Sequence, residues 1–292
     1  MMNLTDRLEA AFRRADELSG GVLSILKDTI QRFGDARASQ AAAGMAYYAL
    51  FSLFPLLLFL VAAGSFVLES EQAYQQAVGL VTEAAPISQE LIESNFQQVL
   101  RLRGPVGIVG LIGSLWSASG FFTTLAYQIN RAWPEADSRH FLERRLVALG
   151  MVGSLAGLLA LSLISSAVLD LLPRLQVPLW GGVSVYETPL WAVLSNVVPW
   201  LFTVFLFLGL YLWVPNTPVK GSAAFGSALV AAAAWEVASN AFAWYLGSGL
   251  ARYKVVYGSL GAVVALMLWI YISSWIILFG AHLSAAMAQH TS

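Results

Sequence analysis

Six long apolar runs alternate with short polar or charged stretches along the chain: 41–68, 106–129, 146–172, 190–214, 222–246 and 260–288. About twenty helical residues at ~1.5 Å rise cover the ~30 Å apolar core of a bilayer, and every run reaches that length. The last is the plainest, with no charged residue from Leu260 to Phe279. The pattern predicts an all-α, polytopic membrane protein with six transmembrane helices.

Outside these runs the periodicity changes. Leu4, Leu8, Phe12, Ala15 and Leu18 recur at helical spacing, Gly20-Gly21 interrupts them, and Val22, Ile25, Leu26, Ile30 and Phe33 resume the pattern. Residues 1–38 thus form an amphipathic leader of two short helices. It either lies on the membrane surface or packs as a cytosolic helix, and one pattern fits both. Residues 69–103 are polar, with Pro86 followed by Ile87, Leu91, Ile92 and Val99. They predict a small helical outer cap. The membrane domain occupies 39–289, and the first apolar run, behind a charged leader, is read as a retained anchor.

Composition sharpens the class. Hydrophobic residues make up 58% of the 292 and charged residues 11%, against about 25% charged in soluble domains. The net charge of −1 gives no basic footprint for nucleic acid. With no cysteine and three scattered histidines, His140, His282 and His290, thiol chemistry, disulfides and a histidine–cysteine metal site are excluded, and no cofactor is implied. Lys and Arg concentrate in the leader, in the loop after the second run and at Lys220 after the fourth. By the positive-inside rule both termini are cytosolic and the acidic cap faces outward.

Several residues carry candidate chemistry. Glu236 lies about 20 Å into the fifth run, with Asn240 on the same face. A carboxylate at that depth is neutral, paired or hydrated, and it is either a coupling site between helices or an assembly hydrogen bond. Pro55, and Pro199 in the fourth run, break helices that line a cavity or simply kink. Tyr47, Tyr48, Trp116, Trp269 and Trp275 line a lipid-sized groove or anchor the packing. Asn130 closes the second run. Arg131, Arg139, Arg144 and Arg145 follow it and set topology or hold anionic lipid headgroups. Gly153 and Gly157 form a GxxxG face through which oligomers can form. His282 is read as a wet, structural histidine near the cytosolic interface.

Four blocks resemble a known family. They are Ala46-Tyr47-Tyr48-Ala49-Leu50-Phe51-Ser52-Leu53-Phe54-Pro55; Leu115-Trp116-Ser117-Ala118-Ser119-Gly120 with Asn130-Arg131-Ala132-Trp133; Val214-Pro215-Asn216 with Trp235-Glu236 and Tyr245; and Tyr257-Gly258-Ser259-Leu260-Gly261-Ala262 with Leu268-Trp269-Ile270-Tyr271 and Gly280-Ala281. Over about residues 35–288 the chain is similar to the YihY/virulence factor BrkB family of bacterial inner-membrane proteins, formerly labelled ribonuclease BN-like. The resemblance implies six helices, an inner-membrane location, and roles in envelope lipid export or serum resistance rather than RNA cleavage. The chain departs from that pattern at His282 and Ser284, where relatives usually carry Glu and Asn.

The sequence therefore points to a non-enzymatic inner-membrane transporter or lipid-export factor. Its partners are membrane lipids and an amphiphilic or lipid-linked cargo, with proton linkage through Glu236. The alternatives are a non-transporting scaffold and, more remotely, an intramembrane serine protease built on Ser119 and His282. A ribonuclease lacks both metal ligands and a basic groove here.

Overall fold

The computed structural model describes residues 13–67, 105–154, 157, 189–248 and 260–290. Among them the only regular structure is helix. Residues 13–18 are helical, and the helices that follow are α1 (Val22–Asp35), α2 (Ala38–Val67), α3 (Pro105–Arg131), α4 (141–154), α5 (Pro189–Trp213), α6 (Gly221–Gly247) and α7 (Leu260–His290). Two of them, Gly221–Gly247 and Val263–His290, contain stretches long and apolar enough to cross a membrane, and Trp200–Trp213 is a shorter apolar stretch. The expected outer cap, 69–103, and the latter part of the third run lie outside the described residues. Helices run through Pro55 and Pro199.

The break at Gly20-Gly21 has a backbone basis. Both glycines adopt left-handed φ, 65° and 86°, a region other L-residues enter at a cost. Gly21 has no side chain to cap α1, so Asp16 does it from one turn back, its Oδ1 accepting the Ser24 amide at 2.8 Å. A second corner, with Arg37 at φ 50°, sends α1 directly into α2.

The leader does not lie free of the bundle. Near its C-terminal end α1 buries Thr29 and Phe33, while Ile30 of the apolar stripe stays exposed. Phe33 enters an aromatic box on α7, with ring centroids 4.8 Å from Trp275, 5.9 Å from Phe279 and 5.8 Å from His282. Val22 and Leu26, on the same stripe nearer the N-terminus, overhang and stay exposed.

α7 is the hub. It packs against α1, α2, α3, α5 and α6, and Gly280 through Ala286 are all buried. Small residues make this approach feasible, because backbones close up where side chains are short. α6 meets its neighbours through Ala223, Ala224, Ser227, Ala228, Ala231 and Ala232, paired at four-residue intervals on one face. From α5, the fully buried Tyr211 crosses to α7 and donates its hydroxyl to the Ile277 carbonyl at 3.1 Å. Gly153 and Gly157, by contrast, are exposed with nothing near their Cα hydrogens, so this GxxxG face takes no part in packing among the described residues.

Gly280 is the tightest contact in the hub. A Cβ there would meet the Tyr211 hydroxyl and stand 2.7 Å from its Cζ. Tyr211 is enclosed and cannot swing aside cheaply, so Gly280→Ala is expected to destabilise by about 1–3 kcal/mol. At the exposed Gly150 a Cβ would meet nothing within 4 Å among the described residues, so Ala should be tolerated or gain up to ~1 kcal/mol from helix propensity. Thermal unfolding of the two variants in one detergent checks this; equal midpoints would contradict the packing described.

Candidate functional site

The sequence candidates do not converge on one centre. They divide among three places, and residues the pattern did not single out complete the most site-like of them.

The first place is the exposed face of α6. Asn240 Nδ2 donates to the Glu236 carbonyl at 2.9 Å and to its carboxylate at 3.2 Å. The shared face expected from their spacing holds, but both residues are exposed. The pair projects outward beside Val237 and Trp244, 69% and 67% exposed, and no helix among the described residues packs over it. Trp269 packs on the other side of α6, 5.2 Å from Trp235 and stacked at 5.0 Å on Phe242, as an interhelical anchor. Tyr47 and Tyr48 are exposed on α2, with Tyr47 against Phe51 at 4.7 Å.

The second place is a polar knot where α3 ends. Asn130 Oδ1 accepts the Asn216 amide at 2.6 Å, and the side-chain amides of Asn130 and Asn216 both donate to the Asp137 carbonyl at 3.2 Å. Arg139 reaches the same turn, donating to the carbonyls of Val214 and Pro215. Partial burial lowers the Arg139 pKa and the charge of Glu143 works against that, yet an arginine stays protonated at any physiological pH. Two further arginines are also turned onto protein. Arg145 lies 3.8 Å above the Trp116 ring, donating to the Trp116 carbonyl and, at 3.4 Å, to Thr123. Arg144 stands 5.6 Å over Tyr127. Of the four arginines proposed for headgroups, these three have protein partners.

Arg131, the fourth, belongs to the third place. It lines an open groove of about 660 Å³ with Asp28, Arg32 and Asp35 of α1 and His282 of α7. His282 is 3% exposed, not wet, and its Nδ1 is buried without a hydrogen-bond partner among the described residues. Arg32 bridges to Asp28 at 2.9 Å and donates to Gln289 near the end of α7. Among the described residues no three His, Asp or Glu side chains gather as a metal site. Nor do Ser119 and His282 pair: Ser119 Oγ donates to the Trp116 carbonyl of its own helix at 2.7 Å. Asp28, Arg32 and Asp35 carry no sequence signal that separates them from the other polar residues of the leader helix. Only the docking of Phe33 turns these three toward His282.

Residues 29–292 match the family model described as Virulence factor BrkB. The chain belongs to the BrkB family. Among its relatives, the ribonuclease-like protein YfkH of Bacillus subtilis is 27% identical, covering 91% of this chain and 95% of its own length. A UPF0761 membrane protein of Photobacterium profundum is 28% identical over 91% of this chain and 84% of its own. One from Legionella pneumophila is 27% identical over 99% of this chain, but that match spans 66% of the longer relative. No solved structure matches the chain. With the apolar helices above, these relationships make it a membrane protein of the UPF0761/BrkB family.

Within this BrkB-family chain the Asn130 knot joins elements 86 residues apart. Asn130→Ala removes the acceptor of the Asn216 amide, and an orphaned amide costs about 1–3 kcal/mol where water cannot replace it. Because the site is exposed, the expected result is the lower end of that range, with faster amide exchange localised to 214–217. Hydrogen exchange read by mass spectrometry checks it; unchanged exchange in that turn would show the knot to be idle.

Proposed function

We propose that this chain is a six-span bacterial inner-membrane protein with both termini in the cytosol, and that it moves an amphiphilic or lipid-linked cargo. One observation carries the reading: a carboxylate deep in an apolar helix, hydrogen-bonded to Asn240 and open to whatever lies beside α6. A charged side chain at the bilayer centre costs roughly 2.5–3.5 kcal/mol even on the mildest scales. A helix that keeps one on its outer face has a use for it, either a hydrated path or a polar cargo group. The same residue can exchange a proton as cargo passes, which links transport to the proton gradient. Exposed aromatic side chains at Tyr47, Tyr48 and Trp116 supply apolar contact surface for an acyl or isoprenoid chain. On this reading the chain is a carrier and not an enzyme.

A non-transporting scaffold is the second reading. It is favoured by the Asn240 bond lying within one helix, since a pair that satisfies itself needs no cargo.

Glu236→Gln separates them. It keeps the shape and the bond from Asn240 but cannot ionise. The variant is expected to insert and melt like wild type while failing to complement a deletion strain under envelope stress. Full complementation by a well-folded variant would remove proton-linked transport and leave the scaffold.

A further inference from the structure

The groove at the junction of α1, α3 and α7 is separate from the Glu236 face, and nothing proposed for that face uses it. Its charges are unusual in their incomplete pairing. Asp28 is occupied by Arg32 at 2.9 Å, with His290 at 4.0 Å. Arg131 and Asp35 line the same groove, yet neither forms an ion pair or side-chain hydrogen bond with the other or with any described residue. His282 lines the groove with them, almost fully buried, with a ring nitrogen that has no partner among the described residues. Arg32 and Arg131 line the groove together with this imidazole.

A ligand must satisfy all of these groups at once. A simple anion would be drawn to Arg131 and the imidazole but would meet two carboxylates. A simple cation would suit Asp35 but would meet two guanidiniums. A group carrying both signs, a phosphate linked to an ammonium, satisfies each in turn. Arginine offers a phosphate a planar two-pronged donor, an imidazole adds an N–H, and a carboxylate accepts from a primary ammonium. The volume of about 660 Å³ falls within the roughly 300–1,000 Å³ typical of small-ligand sites.

We propose that this groove binds a zwitterionic phosphoethanolamine group, its phosphate held by Arg131 and His282 and its ammonium by Asp35. The group arrives either as the head of a bilayer phospholipid or as a soluble ester. The proposal stands whether or not Glu236 couples transport.

The test is native mass spectrometry of the purified full chain, offered equal amounts of phosphatidylethanolamine, phosphatidylglycerol and phosphatidylcholine. Soluble glycerophosphoethanolamine and inorganic phosphate serve as competitors. The wild type should retain phosphatidylethanolamine over both others, because phosphatidylglycerol has no ammonium and phosphatidylcholine has no ammonium N–H. Arg131→Gln should weaken retention about tenfold or more, the scale of one charge-assisted pair. Asp35→Asn should erase the preference over phosphatidylglycerol while some binding persists, a change of selectivity that misfolding would not produce. Both side chains are exposed, and unchanged melting confirms that the variants fold; should one fail, the wild-type competition decides. Retained lipid that the soluble ester cannot displace makes the bilayer lipid the ligand. Binding of the ester without lipid retention makes the soluble form the ligand. Equal retention of the three lipids with no ester binding, a preference untouched by both variants, or displacement by inorganic phosphate as effective as by the ester would each overturn the proposal.

Discussion

The structure depends on the burial of one helix end. From Gly280 to Ala286, α7 is enclosed, and α1, α2, α3, α5 and α6 all pack on that helix. Van der Waals contact and close backbone approach, more than hydrophobic transfer, hold helices together where the surroundings are already apolar. That puts a premium on small residues. Gly280 admits Tyr211, Ala281, Ala285 and Ala286 admit neighbouring backbones, and the alanine ridge of α6 does the same from its side. The hub also carries polar groups without partners among the described residues, the hydroxyls of Ser273, Ser274 and Ser284 and Nδ1 of His282. Buried polar atoms left unpaired are costly, and of these only His282 lines the groove.

The docking of α1 follows from the hub. Phe33 fills the aromatic box of Trp275, Phe279 and His282, and the Arg32 bond to Gln289 spans 257 positions of sequence. Once α1 is seated, its polar face becomes a wall of the groove. The charged residues near the helix ends then divide by role. Arg139, Arg144 and Arg145 are committed to carbonyls and rings of the protein. Arg131 and Asp35 have no such partner among the described residues.

The helices were legible because length and apolarity alone decide them. The runs at 190–214 and 222–246 correspond to Pro189–Trp213 and Gly221–Gly247 within a residue at each end, and Gly20-Gly21 interrupts the leader as read. The four-residue spacing also places Glu236 and Asn240 together. What the pattern could not supply is which way a face points. α6 is apolar nearly all round, so periodicity does not distinguish a face toward neighbouring helices from one turned away, and the pair expected between helices lies exposed. His282 was misread for a related reason. Its depth near a helix end suggested water, but it lies in the buried stretch of α7, with Phe33 of the leader, roughly 250 positions away, packed 5.8 Å from its ring. The Asn130–Asn216 knot is likewise a contact between distant turns, with no local signature in either.

The central claim is that the end of α7 is enclosed by protein and not merely by lipid. The chain has no cysteine, so single substitutions report without background. Ala285→Cys and Gln289→Cys differ by one helical turn on one face, about 6 Å in depth, but residue 285 is 1% exposed and residue 289 is exposed. Maleimide labelling of intact membranes should leave the first unmodified until denaturation and modify the second fully. Equal labelling of both would contradict the enclosed hub, and with it the seating of α1 and the groove that depends on it.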